Sequence, residues 1–498
     1  MNTIIVIGAG HNGLTAAASL AKGGEKVVVL EARDSIGGLA ARIPLGDGYA
    51  VPGILHDSAC VREAIVDHLG LERFGLKRRS EPLRICAPSE QGDPLFLVNG
   101  TVEGVSQPDV VALAKLRAFM ARVAAPIRSI LDREPPEPTS ELWPMVKAGF
   151  GVRRLGTGDM LELLRVAPMC VADWMRDNFV SERLSAALAL PAMEGAFVGP
   201  WSPGTAALLL LREAVAGAEI DGGPAALVDA LGKAAASYGV EVRTRAAVAR
   251  IELKNGAVEG VVLEDGETIP CTRVLATCDP KQTLLRLIGP QRLPVRLADD
   301  IQLLRTRGTT AKLHLALSGQ LELADGTAVE ALRTGETLDD LERAFDPAKY
   351  RELPERPALE ARVPSLRDTS LVPQGGHHVV SVMVHHASAD LDWTKETRAR
   401  LTERVIDELA RYCPTLRERI VASELIAPPD LAERYRLTGG HIHHGEHGLD
   451  QLLFMRPTVD CAKYATPVNG LFFGGSGSHP GGGLTCAPGA LAARALLV

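Results

Sequence analysis

A chain of 498 residues, 46% of them hydrophobic, can bury one or two complete cores, so it reads as a folded protein of about two to four domains. A formal net charge of -7, with no Lys/Arg-rich run interleaved with aromatics, excludes the electrostatic footprint of a nucleic-acid binder. The eight cysteines contain no C-x-x-C pair, which argues against a zinc knuckle, a disulfide scaffold and a dithiol centre and suits reduced thiols in a cytoplasmic protein.

Residues 3–7, Thr-Ile-Ile-Val-Ile, form the β-branched run of a strand buried on both faces. The strand starts so early that a secretory leader is not expected. It runs directly into Gly8-Ala9-Gly10-His11-Asn12-Gly13, an Ala-rich helix follows over 14–22, and residues 26–30 supply a second buried strand. This is G-x-G-x-x-G inside a β-α-β unit. Gly8 permits the tight turn, Gly10 lets the backbone approach a pyrophosphate, and Gly13 lets helix and strand pack closely, with the anion at the helix N-terminus. Glu31 ends the second strand, where a carboxylate accepts ribose hydroxyls. The glycine pair Gly37-Gly38, shortly after Ala32-Arg33, brings a second backbone turn toward the diphosphate and favours FAD over NAD.

Residues 76–214 are rich in Ala/Leu helical stretches, broken by Glu134-Pro135-Pro136-Glu137-Pro138. No apolar run reaches the roughly 18 residues of a spanning helix. Residues 142–155 mix Trp143, Met145 and Phe150 with Lys147, Arg153 and Arg154, and read either as an ordinary surface helix or as a peripheral membrane contact. After Gly222-Gly223-Pro224 a helix is predicted over 225–238, then a small meander over 240–264 with turns at Asn255-Gly256 and Asp265-Gly266. A short strand is predicted over 274–277, and Val248 should face adenine. Further on, 379–385 alternates like a strand and 397–412 is helical.

His441, His443, His444 and His447 lie close together. On a strand, however, His441 and His443 share one face while His444 points away, so no metal site is expected. The pairs His377-His378 and His385-His386 are assigned to strand surfaces, and His56 to a loop near the flavin. The chain ends on Gly474-Gly475-Ser476-Gly477-Ser478-His479-Pro480-Gly481-Gly482-Gly483-Leu484 and an Ala-rich helix with Pro488 in its first turn. That helix N-terminus suits the negative charge of a reduced flavin.

Together with Pro364-Ser365-Leu366-Arg367-Asp368, the run 439–446, Leu449-Asp450-Gln451-Leu452 and Arg456-Pro457, these motifs resemble the phytoene desaturase-like flavoproteins over nearly the whole chain. The resemblance implies an α/β protein: a Rossmann-like FAD-binding domain of the amine-oxidase and phytoene-desaturase type with an inserted α+β substrate domain. The expected FAD-binding pieces are residues 1–75, 215–290 and 456–498, and the substrate domain is 76–214 with 291–455. The expected FAD contacts are Gly8, Ala9, Gly10, Asn12, Gly13, Glu31, Ala32, Arg33, Gly38, Val248, Gly475, Gly482, Gly483 and Leu484. The family motif places a histidine at His444, which makes it the candidate base, with Glu446 to orient it.

With one FAD and no second dinucleotide fingerprint, the expected chemistry is hydride removal from the C–H of a small apolar, isoprenoid or lipid-like substrate. Quinone, oxygen or another carrier would serve as electron acceptor. An amine oxidase, a flavin-dependent isomerase and a lipid-binding escort are the alternatives on this fold. An amine oxidase is expected to cage its substrate with aromatic rings, for which Tyr464 is the nearest candidate. A homodimer is neither required nor excluded by the sequence.

Overall fold

The computed structural model describes residues 3–136 and 153–498. The segment considered for membrane contact therefore lies almost wholly outside the described residues, and no helix among those described is long and apolar enough to cross a membrane.

Three distant parts of the chain build one five-stranded parallel sheet. Its order is Leu471–Phe473, Arg273–Ala276, Ile4–Ile7, Val27–Leu30 and Glu241–Arg243. The central strands Ile4–Ile7 and Val27–Leu30 are buried throughout, as their uninterrupted β-branched character requires. Helix His11–Lys22 covers one face, flanked by helices Gly223–Ser237 and Ala487–Leu497. The last approaches so closely that a Cβ on Gly489 would stand 2.1 Å from Asn12 O.

Strands Val248–Lys254, Ala257–Leu263 and Thr268–Pro270 form a separate antiparallel sheet. Asn255 and Gly256 both have positive φ at its first turn, the conformation a two-residue hairpin favours. The expected meander thus begins at Val248. Residues 241–243 instead leave it and pair in parallel with Val27–Leu30, because that sheet edge offers an unpaired ladder.

An eight-stranded sheet combines Ile85–Ala87, Leu95–Val98 and Thr101–Glu103 with Thr310–Leu317, Ala331–Arg333, Leu359–Arg362, His378–His385 and Ile420–Ile426. Helices Gln107–Leu131, Val171–Asn178, Glu182–Ala189 and Thr205–Val215 form an apolar layer with their own core. Strands Thr310–Leu317 and His378–His385 are buried along their whole length, including Lys312, His314 and Ser381. His378, His385 and His386 are accordingly buried rather than placed on a strand surface.

Candidate functional site

The glycine turn has the geometry its spacing predicts. Gly8 has φ +97°, a conformation that favours glycine, and a Cβ on Gly13 would meet Gly8 O at 1.9 Å, so helix and strand touch only because residue 13 is glycine. The position a Cβ would take on Gly10 faces open space, and helix His11–Lys22 starts there without a side-chain cap. Its first amides are thus left for an anion. The Glu31 carboxylate accepts from Ala9 N (2.7 Å) and Arg33 N (2.9 Å), which pins it beside the turn. Gly37 N donates to Ala9 O (2.8 Å), and a Cβ on Gly38 would lie 3.2 Å from Gly10 Cα, so the two glycine motifs are in contact.

A cavity of about 300 Å³ opens in front of this turn. Gly8, Gly10, Asn12, Gly13, Glu31, Ala32, Arg33, Gly38 and Val248 line it. Ala9 is buried behind, and Gly475 stands against Thr277 O, 2.4 Å from where its Cβ would be, so Ser476 reaches the cavity in its place. The far wall comes from the C-terminal end of helix Pro428–Tyr435, where the Arg33 guanidinium lies 4.6 Å from the Tyr435 ring centroid. Asp279, after strand Arg273–Ala276, accepts from both Thr438 N and Thr438 Oγ1 and holds that wall in place. Sequence reasoning missed Tyr435 and Asp279, since nothing local marks either.

Residues 441–447 are not a strand. His441 Nδ1 accepts from the backbone N–H of His443 and Gly445, so the segment winds around its own imidazole. Arg456, 2% exposed, ties this loop to the glycine tail by donating to the carbonyls of His443, Gly445, Glu446, Gln451 and Ser476. All of these acceptors are neutral carbonyls, and burial pushes its pKa down to about 9.

The loop turns its histidines to two sides. His444 lines the dinucleotide cavity with Asn12 and Ser476, and burial, followed by Arg456 and His443, pushes its pKa down to about 3. That is far from the value a base at neutral pH needs. Glu446 does not orient it: the carboxylate accepts from Arg305 Nε (2.9 Å). His443 and His447 point the other way, stacked with centroids 4.6 Å apart. Gly483 N donates to His443 Nδ1 (3.1 Å) and Gly482 N to His447 Nε2 (3.0 Å). Gly482, Gly483 and Leu484 thereby line a second cavity instead of the dinucleotide one.

This second cavity lies under the helical layer. Leu55, Leu131, Leu208, Leu211, Leu452 and Leu453 give it apolar walls. Its charges are mostly closed on one another, with Arg212 donating to Glu194 Oε2 and Asp57 Oδ2 at 2.6 Å each. Burial alone would raise the Glu194 carboxyl, but Arg212 and His443 outweigh it and hold the group well below the usual range. His56 lines this cavity and bonds to residues behind it, Nδ1 lying 2.8 Å from Lys312 Nζ and Nε2 3.2 Å from Glu360 Oε1. Lys312 is fully buried, and burial, then Arg362, pushes its pKa down to about 7.

A family model described as flavin containing amine oxidoreductase matches residues 13–493. The chain belongs to that family. Pyridine nucleotide-disulfide oxidoreductase domain-containing protein 2 of Mus musculus is 31% identical over 98% of this chain and 92% of its own length. The lycopene-forming phytoene desaturase of Pantoea ananas is 26% identical over 97% and 96%. Among solved structures, an oxidoreductase from Methanosarcina mazei superposes with a TM-score of 0.63 at 17% identity, covering 99% of both chains. A triple mutant of putrescine oxidase gives 0.62 at 16% identity, covering 99% of this chain and 97% of its own.

This family member is an FAD-dependent oxidoreductase with a Rossmann-like FAD-binding fold. Its own residues fit the cofactor: an uncapped helix end, open space before Gly10, Glu31 on the rim, and buried Asn12 Oδ1 and His11 Nε2 without hydrogen-bond partners among the described residues. All eight of its cysteines are unpaired.

Proposed function

We propose that the protein is a dehydrogenase or desaturase acting on an apolar, isoprenoid- or lipid-like molecule, seated in the second cavity. Bound FAD would supply the acceptor for a hydride, at flavin N5, with quinone, oxygen or another carrier receiving the electrons afterwards. The observation that carries the reading is the wall of that cavity: leucines from five separate segments, and among its described lining residues no Phe, Tyr or Trp. Tyr464, the candidate for an aromatic cage, is fully buried and donates to His479 O elsewhere. Such a lining suits C–H oxidation of an apolar chain better than capture of an amine nitrogen.

The chain's own residues then have three tasks. The leucines exclude water and hold the apolar body by burial, at about 25 cal/mol per Å² removed from water. Arg456 fixes the loop whose His443 and His447 hold the glycine tail between the two cavities. A proton that leaves with the hydride has an acceptor poised near neutrality in Lys312, joined to the cavity through His56.

The test is to follow the flavin spectrum of purified protein anaerobically while polyenes, lipid extracts, alcohols and amines are added in turn. Bleaching by polyenes or lipids is the expected outcome. Bleaching by amines alone would replace this reading with amine oxidation, and a spectrum that nothing bleaches would favour an isomerase or a lipid escort.

A further inference from the structure

We infer that the second cavity takes a molecule with an apolar tail and an anionic carboxylate end, and that Arg62 holds the carboxylate. The inference rests on the reading of this cavity as the substrate site and narrows its substrate class. Arg62 lines the cavity at the start of helix Glu63–Leu69, and its side chain is only 9% exposed. Nε donates to Asp132 Oδ1 (2.7 Å), but Nη1 is buried with no hydrogen-bond partner among the described residues. A buried guanidinium N–H left unpaired is costly, so it marks a place where a ligand atom belongs.

The neighbouring polar groups do not meet that need. Glu194 and Asp57 are engaged by Arg212, while the imidazoles of His443 and His447 accept from glycine amides. Burial raises the Cys60 thiol, which stays protonated and neutral. Asp132 pairs with Arg62 through Nε alone, and Nη1 is left a charged donor with no acceptor among the described residues. A carboxylate matches a guanidinium in charge and in planar geometry. The Asp132 side chain, 44% exposed, screens only part of the Arg62 charge. An alcohol accepts a bond from Nη1 without adding charge, and a cation would face Arg62 at low dielectric. Leu131, Leu208, Leu211 and Leu453 on the same cavity wall leave the remainder of the ligand to be apolar.

Three probes that share a chain of about ten carbons and differ in head group separate these cases: decanoate, 1-decanol and decyltrimethylammonium, titrated calorimetrically below micellar concentration into the FAD-loaded protein. Decanoate is expected to bind about tenfold or more tighter than decanol, with the cation weakest, since a charge-assisted bond to a buried donor is worth that much. In Arg62→Leu, checked by an unchanged flavin spectrum, the preference for the acid should vanish while decanol affinity holds. Arg62→Lys should keep part of it. The comparison on unaltered protein needs no variant to fold. Equal or tighter binding of decanol or of the cation overturns the carboxylate inference while leaving the apolar substrate site standing. No binding by any of the three overturns both.

Discussion

Lys312 sits on a central strand among buried charges, and its behaviour with pH follows from where it is held. In the unfolded chain its ammonium titrates near the ordinary 10.5, whereas in the folded protein it titrates at about 7. Between those values the unfolded chain keeps the extra proton, so stability rises with pH across that window. Well below pH 7 both states are protonated and the cost of burying the ammonium is present in full, on the order of 5 kcal/mol. Lys312→Met is expected to flatten the rise, as measured by denaturant midpoints at closely spaced pH values. If Lys312 also takes the substrate proton, the same variant slows anaerobic flavin reduction by about 100-fold. An unchanged rate beside a flattened stability profile would leave Lys312 a purely structural residue. None of this was legible in the sequence. A lysine in an alternating strand reads as solvent-facing, but Thr310–Leu317 is paired along both edges and buried at every residue, so both of its faces are covered.

At the scale of elements, what the sequence disclosed were features set by local chemistry. The β-branched run, the glycine spacing, the Asn255-Gly256 turn and the C-terminal helix with Pro488 in its first turn all act within a few residues. Residues 441–447 show the opposite case: Arg456 and Arg305 hold them from other segments, and a stretch fixed by long-range bonds has no periodicity to read. His444 and Glu446 were therefore found as a motif, but their partners were not. The helix pair around the glycine turn gives a direct test of such packing. Gly489 lets helix Ala487–Leu497 rest on Asn12 O, and any larger residue must push the pair apart. Gly489→Val is expected to cost about 2–3 kcal/mol. It should also weaken FAD binding, because the displaced turn is the one that lines the dinucleotide cavity. Equilibrium denaturation with and without flavin separates the two effects, and a stability loss with unchanged FAD affinity would uncouple the helix contact from the cofactor site.

At the scale of the whole molecule, the Rossmann-like fold was legible because one β-α-β unit carries its signature locally, while the second cavity was not, since its walls come from residues 55–62, Leu131, 191–215, 443–453 and 480–485. The dinucleotide cavity is just as dispersed: residues 7–39, 248–287, 433–444 and Ser476 meet around it. A ligand that touches all of these stabilises the folded chain by mass action, about 2.7 kcal/mol at a hundredfold excess over its dissociation constant. The stabilisation should not be uniform. The wall formed by residues 433–444 joins the glycine turn across the cavity and is anchored from the sheet side through Asp279 and Thr438. In protein stripped of flavin this wall loses its ligand contacts, whereas the buried strands Ile4–Ile7 and Val27–Leu30 keep their ladders. Limited proteolysis or hydrogen exchange of the stripped protein is expected to show opening first within 433–447, reversed by added FAD. Equal loss of protection in the central strands would instead mean that the cofactor holds the parallel sheet itself together.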